Sequence, residues 1–315
     1  MTLTELDVGP WTARTVTFVF GALWGSFINV VIYRVPRDLS VVFPGSHCPA
    51  CGAPIRPWDN VPIVSWCVLR GRARCCGARI SPRYVLVESL AGLIAVACCD
   101  VVLGSLAPDT PAVRAVAIFL ADFGMAMALI AAAFIDAEHM ILPDGITLGG
   151  TIFGLATPSL RGVGWTDGLL GASVGFLGVW LPFIVLYRRI RGRDGMGLGD
   201  AKLLMMAGAW YGWEGAAFAL FVGAIQATVA AVILFAVHGK LEEPETVRHE
   251  REELELAAQA GDMEARHALL NDPLGAAPSE GLMGARLPFG PFLCLAMLEW
   301  MLAGEWIRTH FILVF

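Results

Sequence analysis

Eight apolar runs constrain this chain more than any other feature, at residues 11–33, 84–103, 113–135, 146–158, 169–187, 201–213, 215–237 and 288–307. Crossing roughly 30 Å of hydrocarbon takes about 20 apolar residues in a helix, and most of these runs are near that length. Backbone N–H and C=O groups find no partners in lipid, so a spanning segment must satisfy them internally, as a helix does. The period-2 alternation with turn signals that a membrane barrel requires is absent. Composition agrees: 57% of the residues are hydrophobic and only 16% charged, with a mean hydropathy of +0.65, outside the balance of a soluble domain. The expected fold is therefore an all-α polytopic membrane protein with about eight transmembrane helices. The runs at 146–158 and 201–213 fall short of a full span and are expected to tilt, re-enter or extend into their loops.

Charge sets the orientation. Arg34, Arg37, Arg56, Arg70, Arg72, Arg74, Arg79 and Arg83 follow the first run, and Arg188, Arg189, Arg191 and Arg193 follow the fifth. Basic loops stay in the cytoplasm, so the amino terminus is expected outside. With no basic cluster before it and no small-residue cleavage site after it, the first run reads as a retained helix. The chain then divides into a first transmembrane helix (11–33), a cytoplasmic cysteine-containing loop domain (34–83), a membrane core (84–237), an acidic cytoplasmic insertion (238–287) and a last transmembrane helix (288–311). The insertion carries Glu242, Glu243, Glu245, Glu250, Glu252, Glu253 and Glu255. It reads as one polar helix over 245–270, an Asp272-Pro273 break and a Gly/Ala/Pro/Ser linker. The net charge of −6 hides the clustering of basic residues in particular loops, and nucleic acid is not suggested.

Within the first loop, Cys48-Pro49-Ala50-Cys51-Gly52 has the form of a zinc knuckle, whose tight turn aims two thiolates at one tetrahedral ion. The partner region reads Arg72-Ala73-Arg74-Cys75-Cys76-Gly77, with two adjacent thiols instead of two separated ones. Neighbouring side chains diverge, so a structural zinc on Cys48, Cys51, Cys75 and Cys76 is expected to be strained, with Cys67 or His47 as substitute ligands. Free thiols in a reduced loop are the plainer alternative, and a disulfide is disfavoured on the cytoplasmic side. Cys98, Cys99 and Cys294 fall in apolar runs and read as packing residues.

Two carboxylates stand where apolar runs meet loops: Asp136, and Asp200 after Gly195-Met196-Gly197-Leu198-Gly199. A charge at the edge of hydrocarbon is costly and points to function, although helix ends also gather such residues for capping. The positive-inside orientation places both on the cytoplasmic side. Two carboxylates close enough to share a proton can serve as acid and base in aspartic peptide hydrolysis, with no metal in the chemistry. The glycines at 195, 197 and 199 would let the backbone turn sharply and approach a substrate chain. Lys202 lies two residues beyond on another helical face. Spacing leaves Asp136 and Asp144 both open as the partner of Asp200. Asp144, between Pro143 and Gly145, reads as an N-cap, and Glu138 and His139 read as solvated interfacial residues. Asn29 is expected to hydrogen-bond between helices. Glu88, early in the second run, is a candidate to pair with a loop arginine or a substrate amine.

The segments Gly25-Ser26-Phe27-Ile28-Asn29-Val30-Val31-Ile32-Tyr33-Arg34-Val35-Pro36, Cys48-Pro49-Ala50-Cys51, Ile80-Ser81-Pro82-Arg83-Tyr84 with Glu88, Ile135-Asp136 through Leu142-Pro143-Asp144, Gly195 through Lys202, and Pro288-Phe289-Gly290-Pro291-Phe292 together resemble the prepilin peptidases. These are the bifunctional leader peptidase/N-methyltransferases of type IV pilus and type II secretion systems, and the resemblance runs in order along nearly the whole chain. It implies a Gly-x-Gly-Asp membrane aspartic endopeptidase of the bacterial inner membrane, with its active site facing the cytoplasm. Its partners would be prepilin or pseudopilin precursors and membrane lipid. The resemblance, not the spacing, selects Asp136 with Asp200 as the catalytic pair. Gly195, Gly197, Gly199, Lys202 and Glu88 are the candidate substrate contacts, and the resemblance also implies S-adenosylmethionine as methyl donor and zinc in the cysteine loop. The chain departs from the family pattern in two places: Ala73 stands where the first cysteine of a second Cys-x-x-Cys is usual, and the 238–287 insertion is longer than the usual connection.

A proton-coupled transporter uses intramembrane carboxylates too, but such proteins show inverted repeats and midplane sites, and neither is evident here. A non-catalytic membrane scaffold would have no reason to keep both aspartates and the glycine turn. No glycine-rich Rossmann signature marks a site for S-adenosylmethionine.

Overall fold

The computed structural model describes residues 9–192, 195–239, 243–271 and 287–312. Arg193, Glu242, the Asp272-Pro273 break and the linker after it lie outside the described residues. Within them the protein is helical, without strands. All eight apolar runs lie in helices: α1 Pro10–Arg34, α3 Arg83–Ser105, α4 Ala112–His139, α5 Asp144–Ala156, α7 Trp165–Val179, both halves of α9 Leu198–His238, and α12 Gly290–Ile307. Among the described residues, five helical segments are long and apolar enough to cross a membrane, α9 counting once at 41 residues. The short α2 Val64–Val68 lies in the cysteine loop, and α6 Pro158–Arg161 links α5 to α7.

Local sequence accounts for the interruptions. Helix α7 continues through a π-helical stretch, Trp180–Leu186, into α8 Tyr187–Arg191. Pro182 lies in that stretch, where its missing N–H and bulky ring disrupt the α ladder. Helix α9 breaks at Gly212, whose φ of 73° and ψ of −176° suit a residue without a Cβ. Glu214, just past the break, pairs with Arg308 beyond the end of α12. Gly223 then packs against Leu293 near the start of α12, so the second half of α9 returns toward the end where the first half began. The expected division near residue 214 is thus a reversal of direction at Gly212.

Arg161 secures the far end of this hairpin. It donates to the Gly154 carbonyl of α5 and the Trp210 carbonyl of α9, both near helix ends that lack intrahelical partners. Its guanidinium carbon sits 4.2 Å from the Trp210 ring centroid. At the near end Lys202 Nζ meets Asp144 Oδ1 at 2.6 Å, so α5 and the first half of α9 run parallel. Helix α7 packs along α9 through backbone contact of Gly171 with Gly208, the small-residue packing expected where lipid supplies no hydrophobic drive between helices. Leu129, Leu203, Leu204, Met206, Leu293 and Met297 are sealed in the centre. Leu93, Val116, Phe221 and Ile225 face outward, each more than half exposed, an exterior suited to hydrocarbon rather than water.

Two expectations about polar segments are corrected. The single helix over 245–270 is two, α10 Glu245–Gln259 and α11 Met263–Asn271. Gly261 breaks it at φ +100°, and the Asp262 carboxylate accepts from the N–H groups of Glu264 and Ala265. Asp144 is not the expected N-cap: Pro143 holds the cap position and Asp144 is the first helical residue, its carboxylate turned to Lys202.

Candidate active site

Asp136 lies one turn before the end of α4, buried at 6% exposure. Its Oδ2 accepts the N–H of Gly290, the first residue of α12, at 2.9 Å. That contact depends on glycine: a Cβ at 290 would lie 2.6 Å from the same oxygen. Gly290 lies in the Pro288–Phe292 segment, where the sequence gives it no role by itself. A glycine at the start of the last apolar helix was the available signal.

Asp200 is the third residue of α9. Its carboxylate accepts the N–H of Gly197, the residue just before the helix, a reach-back that satisfies a free donor at a helix start. The same side chain interacts electrostatically with Asp136, and the Cys294 thiol of α12 senses both. One carboxylate thus takes the Gly197 N–H and lies within electrostatic reach of Asp136. The ends of α4, α9 and α12 converge on the two aspartates, while Asp144 is drawn away by Lys202.

The glycines before α9 shape its entry. The Gly195 N–H donates to the Phe183 carbonyl at 2.8 Å, Gly197 serves Asp200, and Gly199 packs on Leu142 of the segment between α4 and α5. Glu88 is elsewhere: its Oε2 accepts the Ile63 N–H of the cysteine loop at 2.7 Å. It lines a cavity of about 800 Å³ beneath that loop, which neither aspartate borders. Asn29, beside it, donates to the Tyr84 carbonyl of α3 at 3.1 Å, the interhelical bond expected of it.

Glu138 and His139 are not the solvated residues expected. Glu138 pairs with Arg83 at 2.5 Å, and its backbone carbonyl accepts from the Thr246 hydroxyl of the insertion. His139 is 5% exposed, with Nδ1 3.6 Å from Glu250 of α10. The physical reason is tertiary: α10 lies across the end of α4 and buries Val247 there, covering a surface that the sequence of α4 alone leaves open.

In the cysteine loop two turns share one hydrogen-bond pattern. The Cys48 N–H donates to the Ala53 carbonyl and the Gly52 N–H to the Cys48 carbonyl; the Ala73 N–H donates to Ala78 and the Gly77 N–H to Ala73, all at 2.8 Å. Ala73 therefore occupies the place equivalent to Cys48, and Cys76 the place equivalent to Cys51. Cys75 supplies the missing thiol from the next position along. The sulfur atoms of Cys48, Cys51, Cys75 and Cys76 all lie within 4.8 Å of one another, with contacts of 3.7 Å for Cys48 to Cys76 and 3.4 Å for Cys51 to Cys75. A tetrahedral ion with sulfur at about 2.3 Å separates its ligands by about 3.8 Å, so the set fits zinc. Cys67 and His47 are not in the cluster. Backbone N–H groups of Cys51 and Ala50 pull the Cys48 thiol down to about 7, whereas the Cys51 thiol beside Cys75 pushes that one up to about 12. The thiols thus compete for protons at close range.

Fold and site define a class: a polytopic helical membrane protein with two aspartates at converging helix ends and a four-cysteine loop. Residues 19–101 match the Bacterial Peptidase A24 N-terminal domain and residues 123–233 match the Type IV leader peptidase family. A prepilin leader peptidase/N-methyltransferase of Myxococcus xanthus (strain DK1622) is 34% identical over 313 residues, covering 92% of this chain and 90% of the relative. Proteins of the same name from Aeromonas hydrophila and Klebsiella pneumoniae are 36% and 37% identical, over 71% and 65% of this chain and 82% and 88% of theirs. The chain belongs to the prepilin leader peptidase/N-methyltransferase family. No solved structure matches it.

Proposed function

We propose that this protein cleaves the leader peptide of type IV prepilins or pseudopilins at the cytoplasmic face of the inner membrane and methylates the amino terminus so released. The feature that supports the peptidase reading is the placement of Asp136 and Asp200, on separate helices, within electrostatic reach of each other. With one proton between them, the ionised carboxylate takes a proton from the attacking water and the protonated one donates to the scissile carbonyl oxygen. The Gly290 N–H holds Asp136 in position, and the Gly197 N–H does the same for Asp200. The glycine-rich entry to α9 leaves room beside Asp200 for an extended substrate backbone, with Gly195 and Gly197 exposed. S-adenosylmethionine, when bound, supplies the methyl group. Cys48, Cys51, Cys75 and Cys76 hold a structural zinc that fixes the loop and takes no part in hydrolysis.

Asp136→Ala and Asp200→Ala are expected to abolish leader cleavage while leaving expression and membrane insertion intact. Incubating each detergent-purified variant with a prepilin and weighing the products by mass spectrometry separates cleavage from methylation. Full cleavage by either variant would refute the catalytic assignment.

A further inference from the structure

Asp136 lies in the last turn of α4, the part of a helix that is least secure. The Met140 N–H donates to the Asp136 carbonyl at 2.8 Å, and Met140 then leaves the helix at φ +54°. The carbonyls beyond it are among those that a helix end leaves without intrahelical donors, and such ends fray. Fraying here would release the backbone of the aspartate itself. Two sides of the turn are held by elements already described: α12 through the Gly290 N–H on Asp136 Oδ2, and α3 through Arg83 on the Glu138 carboxylate.

The acidic insertion, one of the two departures from the family pattern, holds a third side. The Thr246 hydroxyl, in the first turn of α10, donates to the Glu138 carbonyl and supplies a donor that α4 lacks. Val247 beside it is 3% exposed. One turn further on, Glu250 Oε1 lies 3.6 Å from Nδ1 of the buried His139. The first turn of α10 thus meets the last turn of α4, and opposite ends of two helix dipoles come together. The insertion has support of its own. Arg251 pairs with Glu243 at 2.6 Å, and Ala258 of α10 and Ala265 of α11 are buried as the second helix packs back on the first. Such packing stabilises a short polar helix more than its propensity can. We propose that α10 braces the catalytic helix, with Thr246 and Glu250 as positioning residues that keep the last turn of α4 formed and Asp136 aligned with Asp200. The inference rests on the peptidase reading above and gives the insertion a part in that reaction without contact to substrate.

Leader-cleavage kinetics of the purified full chain, with deuterium exchange of the Met140 amide measured on the same preparations, test it. Thr246→Val removes the hydroxyl and keeps the shape. It is expected to lower kcat about fivefold, the rate equivalent of one ordinary hydrogen bond, with KM within about twofold, and to speed exchange at Met140. Thr246→Ser restores the donor and is expected to keep kcat within about twofold of the wild type. Glu250→Gln is expected to lower kcat about threefold, and Glu253→Gln, exposed on the same helix, to change neither readout. Thermal melting verifies that each variant is folded, and Glu250→Gln keeps the test decisive if Thr246→Val unfolds. Unchanged kcat or unchanged exchange in folded Thr246→Val, or an equal loss in Thr246→Ser, would overturn the proposal. So would a raised KM at constant kcat, the mark of a substrate contact, or faster cleavage, the mark of a lid that must leave. Cleavage by Asp136→Ala defeats the catalytic assignment, whereas an inactive Asp136→Ala beside an unimpaired Thr246→Val defeats only this inference.

Discussion

Gly290→Ala is the sharpest test of how the aspartate pair is held. The added Cβ would lie 2.6 Å from Asp136 Oδ2, 2.9 Å from Cγ and 3.1 Å from Cβ. Carbon–oxygen contacts normally begin at roughly 3.3 Å, so the carboxylate must retreat by roughly 0.7 Å or α12 must move. Either response lengthens the 2.9 Å bond from the Gly290 N–H. A hydrogen bond to a charged group contributes about 1.5–3 kcal/mol, equivalent to about 10- to 150-fold in rate if it matters only in the transition state. A displacement near 1 Å costs about 100-fold by misalignment alone. The two losses share one cause and do not add, so kcat is expected to fall about 100-fold with KM changed less than about threefold. Overpacking also destabilises by about 1–3 kcal/mol, visible as a lower Tm. Gly304→Ala is the control on the same helix: its Cβ would meet only the Trp300 ring, at 3.3 Å, and cleavage should survive. Cleavage by Gly290→Ala within threefold of wild type would show that the Gly290 contact does not position Asp136.

Cys75→Ser is expected to lose bound zinc, read as metal per chain by mass spectrometry, and Cys75→Ala combined with Ala73→Cys is expected to regain it, because residue 73 occupies the turn position equivalent to Cys48. Retention of zinc by Cys75→Ser would show that three cysteines suffice. Arg161→Met removes the donor to Trp210 and Gly154 and should cost about 3 kcal/mol, followed as Tm in detergent; an unchanged Tm contradicts the clamp. Lys202→Met breaks a partly exposed ion pair with Asp144 and should cost about 1 kcal/mol or less, with KM within about twofold. A tenfold rise in KM would assign Lys202 to substrate instead.

The length and hydropathy of the apolar runs determined the helices, since lipid leaves a spanning backbone little choice. Motif order along the chain singled out Asp136 and Asp200 as candidates, and the knuckle at Cys48 marked the cysteine cluster. Other assignments depended on neighbours distant in sequence. Whether Asp144 caps a helix or meets Lys202 is set by how α5 lies along α9, and the burial of His139 by an insertion more than 100 residues away. Spacing left ligation by the adjacent Cys75 and Cys76 plausible but strained; the second turn places Ala73 at the position equivalent to Cys48 and lets Cys75 enter the cluster. Sequence alone determined which segments are apolar helices long enough to cross a membrane and which residues are candidates for chemistry, because hydropathy and side-chain type are local properties. Only the tertiary structure decided the partners of those residues, the need for glycine at 290 and the existence of the cavity at Asn29 and Glu88, because each arises where separate helices and loops converge.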